Sequence, residues 1–208
     1  MLATTTALVD ARTLHAALAR WCDALEAAAP ELNALDGRLG DGDLGATLHK
    51  CAGNVRELLA APPTQLDALL KACAQACARA SGSSFGTLLA VGFLNAAKGA
   101  AGRDSLDREA LAQLLAAVLQ ALSERGGAAL GDKTMLDSLH AIIRALRVLD
   151  AGAEAPALKA AAVAAAGEAL DAFRGQPNRI GRARMFADRS IGLDDPGMVA
   201  VQRMVQAL

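Results

Sequence analysis

Apolar residues fall three and four positions apart along almost the whole of this chain, a spacing that admits little besides helices. Leu14, Leu18, Trp21, Cys22 and Leu25 make one stripe, and Leu66, Leu69, Leu70, Cys73 and Cys77 make a second. The period returns in Leu111, Leu114, Leu115, Val118, Leu119 and Leu122, then in Met135, Leu136, Leu139, Ile142, Ile143 and Leu146. Leu158, Ala162, Ala166, Ala169, Leu170 and Phe173 carry it further. Each stripe is the core-facing side of an amphipathic helix. Aromatic residues are only 2% of the chain against 53% apolar, so the core must be built from Ala, Leu and Val at close range. That suits helix on helix and leaves a sheet short of the residues it favours.

Breaks at Pro30, Pro62-Pro63, Ser81-Gly82, Gly99 to Gly102, Gly126-Gly127 and Gly152 divide the pattern. Eight helices are predicted, near 5–29, 45–60, 65–80, 84–99, 105–125, 133–150, 155–174 and 195–207. Short connections make successive helices antiparallel neighbours, so the expected fold is all-α, an up-and-down bundle or closed barrel of eight antiparallel helices. A length of 208 residues fits one domain over 1–208.

With Lys+Arg 21 and Asp+Glu 22 the net charge is −1, which gives no field to hold a polyanion, so nucleic acid is not an expected partner. The start, MLATTTALVDARTLH, lacks the basic opening and apolar run of a signal peptide, and no stretch reaches the length of a membrane span. A cytoplasmic protein without a membrane partner is expected. Cys22, Cys51, Cys73 and Cys77 show no CxxC spacing and read as small buried hydrophobes. His15, His49 and His140 lack metal-ligand spacing and receive no role.

Two segments break the economy of short loops, Pro30 to about Leu44 and Gly175 to about Asp195, and long loops in compact domains are commonly functional. The first contains LDGRLGDGDLG, with Asp36, Asp41 and Asp43 interleaved with glycines just before a helix. Hard carboxylates beside a helix N-terminus suit magnesium, which takes oxygen ligands and keeps positions open for phosphate. The alternative is a plain Asp-Gly turn with Asp43 as N-cap. An EF-hand is disfavoured: counting from Asp41 puts Gly45 at the fifth position and Ala52 where a bidentate Glu belongs.

Ser81-Gly82-Ser83-Ser84-Phe85-Gly86 offers hydroxyls and backbone N–H groups at a helix start, either to phosphate oxygens or as an ordinary cap. Gly131-Asp132-Lys133-Thr134-Met135 is not a P-loop, because Asp132 stands where the second glycine is needed and a helix precedes it. Asp132 reads as an N-cap, which leaves Lys133 and Thr134 without a task. The second long segment brings Arg182, Arg184 and Arg189 ahead of Asp194-Asp195-Pro196, a helix cap and first turn, and the arginine fork suits phosphate.

Taken in order, GDGDLG, SGSSFG, GDKTM and GRARMFADRSIGLDDPG resemble the L subunit of dihydroxyacetone kinases, from about Asp36 to the C-terminus. The resemblance implies a closed barrel of eight antiparallel helices that holds ADP or ATP through Mg2+ at its mouth. Asp36, Asp41 and Asp43 match the metal ligands; Leu44, Gly45, Ala46 and Thr47 match the turn around the phosphates, and Ala80 and Ser81 a second phosphate loop. Gly126 and Met135 match positions lining the nucleoside, and Asp195, Pro196 and Gly197 the closing segment beside ribose and base. Arg182 matches the arginine that reaches phosphate and is the implied catalytic residue in a phosphoryl transfer that depends on positioning and charge neutralisation. The implied partners are a K subunit that carries the sugar and a phosphocarrier protein. The chain departs from the family pattern where His is usual, at Leu44 and Leu193, and at Ala78-Arg79, which replace a frequent glycine pair. Leu44 leaves open the alternative of a nucleotide-binding regulatory module without efficient transfer.

Overall fold

The structure, a computed structural model, describes residues 8–80 and 84–208. Eight α-helices follow one another among the described residues: α1 (Ala11–Leu39), α2 (Leu44–Leu59), α3 (Leu66–Ala78), α4 (Ser84–Ala100), α5 (Arg108–Gly126), α6 (Met135–Val148), α7 (Ala155–Arg174) and α8 (Pro196–Ala207). Each helix packs on its successor from α1 to α8, and α8 returns to α1 and closes the ring. The fold is the expected all-α closed barrel of antiparallel helices.

The largest difference from the predicted elements lies in α1. Pro30 does not end it; the helix runs on to Leu39. Proline inside a helix costs one N–H···O bond and about 3 kcal/mol. Against that cost, Leu25, Ala28, Leu32 and Leu39 stay buried on one continuous face while Pro30 is exposed on the other. Burying Leu32 and Leu39 alone is worth roughly 1.5–3 kcal/mol each, so the stripe outweighs the proline.

Other boundaries move for local reasons. The Asp10 carboxylate caps α1 by accepting the Thr13 N–H at 2.7 Å, and the Thr13 hydroxyl accepts the Asp10 N–H at 2.9 Å. Ahead of α1, β1 (Val9–Asp10) pairs antiparallel with β2 (Ser105–Leu106), Val9 opposite Leu106 and Asp10 opposite Ser105. Residues 105 and 106, predicted as helix, therefore belong to this short ribbon, and α5 starts after Asp107, which accepts the Ala110 N–H at 2.8 Å. The predicted start of α6 near 133 is also early by two residues, since the helix opens at Met135. Thr134 is its N-cap, in a capping box with Asp137, and Asp132 instead accepts the Ala129 N–H.

The core sits inside the ring, and Trp21 meets Phe93 edge-on at 6.0 Å. All four cysteines are free and buried, as the stripe positions predict. Burial pushes the Cys22 thiol up to about 11 and that of Cys73 to about 12, which keeps both protonated and inert at neutral pH. No helix among the described residues is long and apolar enough to cross a membrane.

Candidate metal centre and surrounding site

Because α1 extends through Pro30, the expected long acidic loop shrinks to residues 40–43, and Asp36 stands on the last turn of a rigid helix. Its Oδ2 accepts the N–H groups of Asp43 at 3.0 Å and Leu44 at 3.2 Å. One helical turn earlier, Asn33 Oδ1 accepts the Ala46 N–H at 3.0 Å. Two of the orphan donors at the start of α2, those of Leu44 and Ala46, are thus satisfied from α1. Asp43, the expected N-cap in a plain-turn reading, makes no side-chain cap bond.

The three carboxylates gather around this cap. Oxygens of Asp36, Asp41 and Asp43 all lie within 4.8 Å of one another. Gly42 turns the chain at φ +75°, and a Cβ at position 40 would land 2.5 Å from Asp36 Oδ1, so a side chain there would displace the carboxylate. Two negative charges about 5 Å apart repel by about 3 kcal/mol at an effective dielectric of about 20. Arg182 forms an ion pair with Asp41, and both side chains are largely exposed. Among the described residues one cation pairs with a cluster of three anions, which leaves it short of positive charge. Its donors are all hard oxygens, a set that fits Mg2+ and similar divalent ions.

The other residues singled out from the sequence collect around the first turn of α4. A Cβ on Gly86 would meet Thr47 Cγ2 at 3.2 Å and the Ala80 carbonyl oxygen at 3.5 Å. A Cβ on Gly197 would meet Phe85 Cε2 at 3.4 Å and Met135 Cβ at 3.7 Å, and Gly126 lies against Leu88. The structure therefore brings Thr47, Ala80, Met135, Gly197 and Gly126 to one helix start, while Ser81 lies outside the described residues. Not every matched residue presents its side chain. Leu44 is buried in the core, Ala80 and Pro196 are buried, and Gly126, Ala46 and Arg182 are exposed. Of the backbone donors opening α2, those of Leu44, Ala46 and Thr47 are already bonded within the protein, Thr47 to the Asp43 carbonyl.

The second long segment is also more ordered than its lack of periodicity predicts: Arg182–Ser190 forms a 3-10 helix with a kink at Phe186. Its base is tied by Arg174 to Asp194 at 2.8 Å and by the Gly192 N–H to the Arg174 carbonyl at 2.8 Å. Asp195 caps α8 by accepting the Met198 N–H at 2.9 Å and takes the Asn178 side-chain amide at 2.8 Å. It is only 8% exposed. Burial pushes its carboxyl up to about 6 from an ordinary 3.8, against the downward pull of those hydrogen bonds and of Lys133.

A raised acid pKa means that the folded state binds the proton more tightly than the unfolded chain. Its contribution to stability is largest below about pH 4 and is lost as pH rises through about 6, by up to about 3 kcal/mol. In urea unfolding at a series of pH values, Asp195→Asn should gain on the wild type across that window and hold the gain above it. A difference independent of pH would show that Asp195 titrates as an ordinary carboxylate.

Reading the sequence assigns no role to Asn33, Phe85, Lys133, Asn178 and Ser190. Asn33 had a usable signal, its i,i+3 spacing from Asp36, which counts only once α1 is known to continue. The last three are brought together by tertiary structure alone.

Comparisons with known proteins match the sequence and the fold. A profile of the DAK2 domain matches residues 38–208. The ADP-binding subunit DhaL of the PEP-dependent dihydroxyacetone kinase of Escherichia coli (strain K12) is 31% identical over 193 residues, covering 92% of both chains. The D-erythrulose kinase of Mycolicibacterium smegmatis is 35% identical over 200 residues, and human triokinase/FMN cyclase 32% over 194. The chain spans 34% and 33% of the length of those two. Among solved structures, the dihydroxyacetone kinase of C. freundii in complex with AMP-PNP and Mg2+ superposes with a TM-score of 0.73 at 26% identity, over all of this chain and 35% of the other.

Proposed function

The chain belongs to the DAK2 domain family, and from that premise we propose that it is the nucleotide-binding subunit of a dihydroxyacetone-type kinase. It holds ADP or ATP with Mg2+ at the acidic end of the barrel and passes phosphate to dihydroxyacetone or a related small ketose carried on a separate K subunit. The whole of 1–208 acts as one nucleotide-binding unit, cytoplasmic, recharged by nucleotide exchange or by a phosphocarrier protein. The observation that carries this reading is the convergence of Asp36, Asp41 and Asp43 within 4.8 Å, with Arg182 paired to Asp41.

In this reading the three aspartates hold Mg2+, which when bound supplies charge neutralisation and alignment for the transferring phosphoryl group. Arg182 is the catalytic residue. With Asp41 engaged by a cation, the Arg182 guanidinium would be available to phosphate oxygens, which its planar fork suits. The turn from Leu44 to Thr47 and the segment at Ala80 and Ser81 border the phosphates. The Leu44 side chain, being buried, contributes no polar group there. Gly126 and Met135, with Asp195, Pro196 and Gly197, form the nucleoside edge. Asp195 acts from below by fixing the start of α8, since its own oxygens accept from Met198 and Asn178.

Thermal unfolding with Mg2+, with ADP, and with both tests the reading. Ligand at about 100 times its Kd stabilises the native state by about 2.7 kcal/mol, so the pair should raise Tm by roughly 5–10 °C in a chain of this size. Either component alone should do far less. An unchanged Tm with both present would end the proposal.

A further inference from the structure

Lys133 is the largest side chain in the structure with no exposed surface, and it is the only non-glycine residue at positive φ among the described residues, at 62°. An L residue adopts that backbone at a cost, and burying an ammonium costs more. What compensates is a cage of carbonyls. Lys133 Nζ donates to Gln176 O at 2.7 Å, Ser190 O at 2.9 Å and Arg174 O at 3.3 Å. An ammonium has three donors, and all three are used. The acceptors belong to the two ends of a single loop, residues 174–176 where it leaves α7 and residue 190 where the 3-10 helix ends.

Asn178 repeats the tie one layer over. Its backbone N–H donates to Ser190 Oγ at 2.8 Å, and its side-chain amide donates to Lys133 O at 2.9 Å as well as to Asp195. The Arg179 N–H adds a bond to Asp132 O at 3.1 Å. Between these ties the loop projects from Gly175 to Ser190, and on it Arg182 meets Asp41. Arg182 is itself exposed and carries no other ion pair among the described residues, so the closed base of the loop is what sets its place.

We infer that Lys133 is a positioning residue for Arg182: by drawing the carbonyls of Arg174, Gln176 and Ser190 onto one buried ammonium, it closes the arginine loop and delivers the guanidinium to the carboxylate cluster. This rests on the nucleotide reading above. The ammonium touches no ligand, because the cage leaves it no exposed surface. A lysine point charge fits a three-carbonyl cage that the planar guanidinium of arginine does not.

Calorimetric titration of the full chain with ADP in the presence of Mg2+ tests the inference through a double-mutant cycle of Lys133→Met and Arg182→Ala. Each single variant should bind about 10-fold more weakly or worse, the scale of a misplaced charged contact. The double variant should be no weaker than Arg182→Ala alone, since Lys133 acts only through that arginine. Leu25→Ala, a core variant that makes none of these loop ties, controls for stability and should leave Kd unchanged. If Lys133→Met does not fold, Ser190→Ala opens the same base by removing the acceptor of the Asn178 N–H and takes its place in the cycle.

Wild-type affinity in Lys133→Met, or losses that multiply in the double variant, would overturn the inference while leaving the nucleotide site standing. A wild type that takes up no ADP with Mg2+ would overturn both.

Discussion

Asp41→Asn should lower magnesium-dependent nucleotide affinity by about 100-fold or more, close to 3 kcal/mol, and leave the stability of the ligand-free protein within about 1 kcal/mol of wild type. Its ion pair with Arg182 is exposed and worth little, and losing one of three crowded negative charges offsets part of that. Asp36→Ala should lose affinity to a similar degree and stability as well, by about 2 kcal/mol. The reason lies in geometry. Asp36 Oδ2 accepts two backbone N–H groups that open α2, and one of them belongs to the buried Leu44. Two carboxylates of one cluster thus differ in what they hold up: Asp36 caps the helix, and Asp41 pairs only with the exposed Arg182. Urea unfolding without magnesium, paired with calorimetric titration with it, separates the two roles. Equal losses of stability in both variants would show that the α1-to-α2 cap carries no weight.

The same region marks the limit of what could be read from the chain. The apolar period located all eight helices, and the family motifs located the three aspartates, because both signals are local and repeated. Pro30 was misread because the penalty of one proline is visible in the sequence, while the burial of Leu32 and Leu39 that overcomes it depends on the neighbouring helices. That one error had consequences further along. With α1 ended at residue 29, Asn33 and Asp36 could not be seen as two members of one helical face, and Asp43 was left as the only available cap. Lys133 was illegible for a different reason. Its three acceptors lie more than 40 residues away and are backbone carbonyls, which carry no residue identity at all. A buried lysine with no carboxylate in hydrogen-bond contact leaves no trace in composition or spacing.

Gly45→Ala and Gly53→Ala should move stability in opposite directions although both glycines belong to α2. In an unobstructed helix interior, alanine is better than glycine by about 1 kcal/mol, and at Gly53 nothing lies within 4 Å of the added Cβ. Stabilisation of about 0.5–1 kcal/mol is expected there. At Gly45 the new carbon would fall inside the Ala29 carbonyl oxygen and 2.7 Å from Asn33 Oδ1. Neither obstacle is a flexible chain end: Ala29 is backbone one residue before Pro30, and Asn33 is held by the Ala46 N–H. The start of α2 must therefore move off α1, at a cost of about 3 kcal/mol or more. That displacement pulls Asp43 and Leu44 away from Asp36 and disperses the carboxylate cluster, so Gly45→Ala should lose magnesium-dependent binding together with stability. Gly53→Ala should keep binding intact. Chemical unfolding of the two variants side by side measures the first difference and calorimetric titration the second. Stabilisation by alanine at position 45 would mean that α2 does not approach α1 as closely as the shared Asp36 and Asn33 caps require.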